Sequence, residues 1–179
     1  MQAMNADVLA IFTVGTSASG KSSWAQTQCT RYPELKIRII ERDRLRQEVF
    51  AADNRADFSW SQWDPAKEEQ VQRLWEEALR QALDQDVLIL ADTHLDPKRL
   101  EEESAWLASL GVRDMAIQYF ASEPLVELIR RDQGRPHPVG AAVLREQIQK
   151  MQPEERYWEA LEAGQQRILR QSKDSVKAT

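Results

Sequence analysis

Cysteine is almost missing from this 179-residue chain: Cys29 stands alone. That forbids an internal disulfide and agrees with a reducing compartment. Long apolar runs are missing too. The longest, Val87 to Ala91, is far short of the about 20 residues that a membrane-spanning helix needs. Met1 to Asp7 carries no cationic stretch leading into a cleavable apolar one, so a cytoplasmic location without a membrane is expected. An excess of positive charge is absent as well: 24 Lys and Arg stand against 29 Asp and Glu, a net charge of -5. This argues against broad electrostatic adhesion to nucleic acid, so any such contact must be local. The two histidines, His94 and His137, have no neighbouring metal-ligand partner and read as solvated or structural residues.

What is present is the composition of a soluble globular protein, 42% hydrophobic and 30% charged, of a length that suits one domain. We expect that domain over residues 1–170 and a polar, disordered tail over 171–179. Val8 to Val14 is an apolar, β-branched run that predicts a buried strand. Lys36 to Ile40, Val87 to Ala91 and Met115 to Phe120 predict three more. Between them, apolar residues at helical spacing predict helices, with Asp64-Pro65 and Asp96-Pro97 as starts, Asp capping and Pro at the first position. Asp43 is the expected cap of a helix Arg44 to Phe50, and Asp53 to Trp63 reads as a loop. Gly134, Pro136 and Pro138 break the chain after a helix ending near Arg131; two final helices follow, Gly140 to Met151 and Pro153 to Arg170. Strands alternating with helices predict an α/β fold: a parallel sheet of about four strands with helices on both faces. Ligands of such sheets bind beyond the carboxyl ends of the strands, where Gly15 to Ser22, Asp43 and Asp92 should meet.

Between the first strand and first helix stands Gly15-Thr16-Ser17-Ala18-Ser19-Gly20-Lys21-Ser22, with Ser23 next. It matches G-x-x-x-x-G-K-[ST] in the strand-to-helix context that the mechanism requires. The glycines let backbone N–H groups turn inward on phosphate oxygens, and the helix dipole adds positive potential. Lys21 is expected on the β and γ phosphates of ATP, and Ser22 on Mg²⁺. Ala18 takes a place that is glycine in many such loops. No Asn-Lys-x-Asp string follows a strand, which leaves out a switch GTPase.

A kinase needs a carboxylate to take the proton of an attacking hydroxyl, and cations for the transferring phosphoryl oxygens. Asp43 lies on the expected edge, and Arg46 falls on the same side of the next helical turn. Spacing alone leaves open that Asp43 only caps a helix, that Arg46 is a surface charge, and that Asp92 merely ends a strand. The strings Gly15 to Ala25 (GTSASGKSSWA), Arg42 to Gln47 (RDRLRQ), Ala91 to Arg99 (ADTHLDPKR) and Arg131 to Arg135 together resemble the phage-type polynucleotide 5′-hydroxyl kinases, in order over about Val8 to Met151.

The resemblance implies an ATP- and Mg²⁺-dependent kinase acting on a polynucleotide 5′-OH end, with Asp43 as general base. It implies Arg46 beside the acceptor and held by Asp92, Arg42 and Thr93 along the acceptor path, and Arg131 and Arg135 on a lid over the phosphates. Kinases of this kind are often joined to phosphatase or ligase domains, so a separate phosphatase or ligase partner is expected for 3′-end processing. His94 departs from the asparagine of the D-T-N-L version. A small-molecule kinase for a sugar, antibiotic or nucleoside hydroxyl, and an ATP-binding regulatory module docking through its last helix, are the alternatives. Most tryptophans read as core; Trp60 and Trp63 could stack on a base.

Overall fold

The computed structural model describes residues 6–51 and 63–177. The chain runs β1 (Ala6–Val14), α1 (Lys21–Arg31), β2 (Ile37–Ile40), α2 (Arg42–Ala51), α3 (Pro65–Gln81), β3 (Val87–Leu90), α4 (Pro97–Ser109), β4 (Val112–Tyr119), α5 (Leu125–Gln133), α6 (Ala141–Lys150) and α7 (Glu154–Lys177). The strands form one parallel sheet in the order β2-β3-β1-β4. This is the P-loop NTPase-like arrangement expected from the alternating pattern. Most of the segment read as a loop, including Phe58 and Trp60, lies outside the described residues.

Strand alternation divides the core. Val8, Ala10, Phe12 and Val14 all point to one face, where they pack with Trp75 of α3, Leu100 and Leu107 of α4 and Tyr157 and Leu161 of α7. On the other face Ile89 and Ala91 meet Ala25 and Trp24 of α1. Both Asp-Pro starts form as predicted: Asp64 Oδ1 accepts from Ala66 N–H and Asp96 Oδ1 from Lys98 N–H, each at 3.0 Å. Helices α4 and α7 cross closely at Gly164, where a Cβ would collide with Ser104 Oγ and the Glu101 carbonyl. None of the described helices is long and apolar enough to cross a membrane.

Among the boundaries that differ from expectation, two have a plain cause. Helix α7 does not end at Arg170 but continues to Lys177, because Gln171 to Lys177 contains neither glycine nor proline to stop it. Helix α2 starts at Arg42, so Asp43 lies inside its first turn and is not its cap. The carboxylate serving that helix start is Asp92, whose Oδ1 accepts from Arg42 N–H at 2.8 Å.

Candidate active site

A cleft of about 700 Å³ opens at the carboxyl ends of β1 and β3. Ser17, Ala18, Ser19, Gly20, Lys21, Ser22 and Ser23 line one side; Arg42, Asp43, Arg46, Asp92 and Thr93 line another; Arg131 and Arg135 complete it. Gly15 and Thr16 lie behind this lining and are buried. Gly15 has no room for a side chain, since a Cβ would sit 2.8 Å from Phe120 Cβ and 2.9 Å from Ser19 Oγ. Its N–H donates to the Thr93 carbonyl at 3.0 Å, which ties the phosphate loop to the motif after β3.

The loop turns through two left-handed residues, Gly20 at φ 95 and Ala18 at φ 60. The first hydrogen bond of α1 runs from Trp24 N–H to the Gly20 carbonyl at 2.9 Å. The N–H groups ahead of it are the unpaired donors of a helix start, where an anion is favoured. Lys21 is buried, 7% exposed, and its Nζ donates to the Thr16 carbonyl and, at 3.3 Å, to Ser19 Oγ. Burial, and then the nearby Arg135 guanidinium, push the Lys21 ammonium down to about 8, against the opposing pull of Asp43, Asp92 and Glu41. Thr16 Oγ1 is buried with no hydrogen-bond partner among the described residues. A desolvated ammonium bonded only to neutral oxygens, beside a helix start and an orphaned hydroxyl, fits a polyphosphate. Ser22 is exposed and lines the cleft, which suits a hydroxyl ligand to Mg²⁺ carried by that polyphosphate.

On the acceptor side, Arg46 NH1 donates to Asp43 Oδ1 at 2.6 Å, and its Nε and NH2 form a fork on Glu68 at 2.9 and 2.6 Å. Desolvation opposes the Arg46 charge, but the Glu68 and Asp43 carboxylates outweigh it and raise its affinity for the proton. Arg46 is therefore a fixed cation, aimed by α3 at the base candidate. The pairing of Arg46 with Asp92 implied by the resemblance does not occur. Asp92 instead takes Arg42 NH1 at 2.7 Å, because the same carboxylate already holds Arg42 through its backbone N–H. Arg46, one turn on, reaches α3.

Arg42 lines the cleft yet is only 4% exposed. Its guanidinium also donates to Glu103 Oε1 at 2.6 Å and to Gln72 Oε1 at 3.3 and 3.2 Å, and lies 3.8 Å from the Trp75 ring centroid. It acts as a strut joining α2, α3, α4 and β3. His94 is not solvated as expected but buried, 7% exposed. Nδ1 lies 2.7 Å from the Thr13 carbonyl, and Nε2 lies 3.2 Å from Glu103 Oε2, off-line for a hydrogen bond. Burial raises the Glu103 carboxyl, but His94, Arg42 and Arg99 prevail and hold it at about 2. His94 sits at φ 44, a conformation in which asparagine and histidine are both enriched. That accounts for an asparagine in the D-T-N-L version.

Arg131, near the end of α5, donates to Glu127 at 2.7 Å; Arg135, just past Gly134, donates to Asp132 at 3.1 Å. Asp132 was not singled out from sequence. It is 2% exposed and also accepts from Val139 N–H at 3.1 Å and Gly140 N–H at 2.8 Å, so it ties down the arginine-bearing turn. Gln147 of α6, likewise missed, accepts from Ser17 N–H at 2.7 Å and donates to Ser17 Oγ at 3.1 Å. Glu68 and Glu103 complete the set with no local signal.

The AAA domain family matches residues 11–154, most of the chain. The chain belongs to this family. Its P-loop kinase-like fold suggests a phosphotransferase, and AAA-family domains of this kind generally use ATP and Mg²⁺. Among solved structures, a chain from the "Structure of Pnkp1/Rnl/Hen1 complex" is similar at 23% identity and a TM-score of 0.55, over 69% of this chain and 38% of that one. That likeness shows the fold. A chain of the PezAT chromosomal toxin-antitoxin system of Streptococcus pneumoniae is similar at 14% identity and a TM-score of 0.42, over 91% of this chain and 86% of that one. No curated protein matches the sequence.

Proposed function

We propose that this AAA-family domain transfers the γ-phosphoryl group of ATP to the 5′-hydroxyl end of a polynucleotide, in a cytoplasmic nucleic-acid end-healing role. The observation that carries this reading is that Asp43, bonded to Arg46, lines the same cleft as the buried Lys21. Donor and acceptor groups thus share one wall-to-wall site. The order of motifs that resemble the phage-type kinases adds to it.

When bound, ATP and Mg²⁺ supply the phosphoryl group and neutralise its charge. Gly15 to Ser23 would cradle the phosphates and Ser22 would ligate the metal. Asp43 accepts the proton of the attacking hydroxyl, and Arg46 fixes the orientation of that carboxylate. Lys21, Arg131 and Arg135 spread positive charge over the transferring oxygens, where guanidinium forks match phosphate geometry. Asp92 holds Arg42 on the acceptor side, and Thr93, whose carbonyl accepts from Gly15 N–H, joins that side to the phosphate loop.

Incubation with labelled ATP and 5′-OH oligonucleotides should transfer label. Asp43→Asn should lower turnover by about 10² to 10⁴-fold, the usual share of a general base, while ATP still binds. ATP binding without label on any oligonucleotide would sink the reading. The complete engagement of Arg42 by protein carboxylates and Gln72 favours a second reading, a small hydroxyl acceptor without phosphate, which a panel of sugars and nucleosides assayed for ADP release separates from the first.

A further inference from the structure

Helices α5 and α6 pack on each other and hardly on any other described helix or strand. Each buries a leucine, Leu128 and Leu144, that belongs to neither of the cores flanking the sheet. Asp132 joins the two helices: from the end of α5 it accepts from Gly140 N–H at the start of α6 at 2.8 Å, and from Arg135 on the turn between them at 3.1 Å. Arg131, Arg135 and Gln147 therefore ride on one body.

That body is anchored where the chain enters and leaves it. At the entry, Phe120 N–H donates to the Val14 carbonyl at 2.8 Å. At the exit, the Gln152 carbonyl accepts from Tyr119 Oη at 3.1 Å, and Gln152 N–H donates at 3.0 Å to Tyr157 Oη, which itself donates to the Leu95 carbonyl at 3.1 Å. Two anchored ends define a hinge axis, and a body held only there can still turn about it. It takes a third tie to set the angle. Gln147 supplies one: its Oε1 accepts from Ser17 N–H at 2.7 Å, and its Nε2 donates to Ser17 Oγ at 3.1 Å. Among the described residues, no other hydrogen bond joins α5, α6 or their turn to the phosphate loop.

Charge works against that angle. Burial and then the Arg135 guanidinium lower the Lys21 ammonium to about 8, so the turn and the loop repel each other until an anion lies between them. A neutral amide suits the tie, because it donates and accepts at once and adds no charge beside a phosphate. We propose that Gln147 is a positioning residue: its paired bonds to Ser17 hold α5 and α6 at the angle that carries Arg131 and Arg135 over the phosphate loop before nucleotide arrives. This rests on the reading of that loop as the seat of ATP. The apparent dissociation constant rises as the fraction of molecules with the arginines in place falls, so the amide acts on ATP affinity through the arginines. Once ATP is bound, the guanidinium contacts hold the helices, and turnover at saturating ATP changes little.

The test uses the full chain with spin labels at Val126→Cys on α5, 79% exposed, and at Thr27→Cys on the exposed side of α1, in a Cys29→Ser background. Without nucleotide this parent should give one narrow interlabel distance. Gln147→Met, which keeps the length of the side chain but neither bond, should broaden it and weaken ATP binding about tenfold, the effect of two neutral hydrogen bonds, with kcat nearly unchanged. Ser17→Ala, which removes one of the two bonds from the opposite side, should broaden it less. In an Arg131→Gln/Arg135→Gln background the loss of affinity caused by Gln147→Met should vanish, because the angle then carries no arginine to the phosphates. An equal loss there overturns the proposal, since the amide would only shape the loop. A distance as narrow in Gln147→Met as in the parent overturns it as well. A distance that broadens in a protein that binds no ATP supports the tie and sinks the reading of the loop's ligand instead.

Discussion

The two halves of the cleft are built in opposite ways. The half proposed for the donor centres on one uninterrupted string, Gly15 to Ser23, whose working groups on that reading are backbone N–H donors and one lysine, with Arg131 and Arg135 added from α5 and the turn after it. Its geometry follows from local dihedrals such as Gly20 at φ 95. The acceptor half is assembled from four elements by side chains far apart in sequence: Arg42 meets Asp92, 50 residues on, and Glu103, 61 residues on. The first half is specified by a motif, the second by which helix faces meet. The phosphate loop is specified within one string, whereas the wall that carries Asp43 and Arg46 depends on side chains brought in by α3 and α4.

The largest break in that comparison is expected at Lys21. Lys21→Ala should lower turnover by about 100-fold or more, as loss of a preorganised cation does, without affecting the Arg42 network. Because burial holds the Lys21 ammonium at about 8, it is charged at pH 7 and mostly neutral at pH 9. Phosphate favours the charged form, so ATP affinity measured by calorimetry should fall about tenfold from pH 7 to pH 9. Lys21→Arg should remove that pH dependence.

Glu103 tests the other half. Replacing it with Gln removes the charge between Arg42, His94 and Arg99, and should cost about 3 kcal/mol, as breaking a buried pair does, read from urea unfolding. The sign with pH follows from a carboxyl held at about 2 against an ordinary 4.5. Its stabilisation is complete above the unfolded value and disappears as pH falls from 4.5 through 2. The stability gap between wild type and Glu103→Gln should therefore close over that window. A gap unchanged from pH 6 to pH 2.5 would mean that the carboxylate charge is not what joins α2 to α4.

The same contrast explains what could be read from the sequence. The four strands, the Asp-Pro helix starts and the phosphate loop follow from alternation, capping chemistry and glycine placement, all of them local. Asp43 and Arg46 could be placed together because three residues on a helix fix their spacing. Glu68 and Glu103 could not, since nothing in α3 or α4 says which exposed-looking glutamate turns inward until Arg46 and Arg42 of α2 reach them. His94 misleads for the same reason: a strand-end histidine looks solvated, and its burial depends on Glu103 arriving from α4. Asp132 is hidden differently. Its partners Val139 and Gly140 offer backbone N–H groups, which leave no mark in a sequence. Asp92 shows how a partner is misjudged: it pairs with Arg42 and not with Arg46.

The smallest effect, and the finest probe of the donor half, lies at Ala18. Its φ of 60 places an alanine where the Cβ crowds the following carbonyl, at roughly 1–2 kcal/mol. Glycine removes that strain but adds about 0.4–1 kcal/mol of chain entropy to the unfolded state. Ala18→Gly should thus change stability by about 0 to 1.6 kcal/mol in the stabilising direction, at about 2–4 °C in Tm per kcal/mol at this size. If the loop is set by its own dihedrals, ATP affinity should hardly change, because the backbone already has the shape that glycine would allow. A loss of stability would place the constraint elsewhere, in the Gln147 side chain that grips Ser17 from α6. The donor half would then depend on a distant helix just as the acceptor half does.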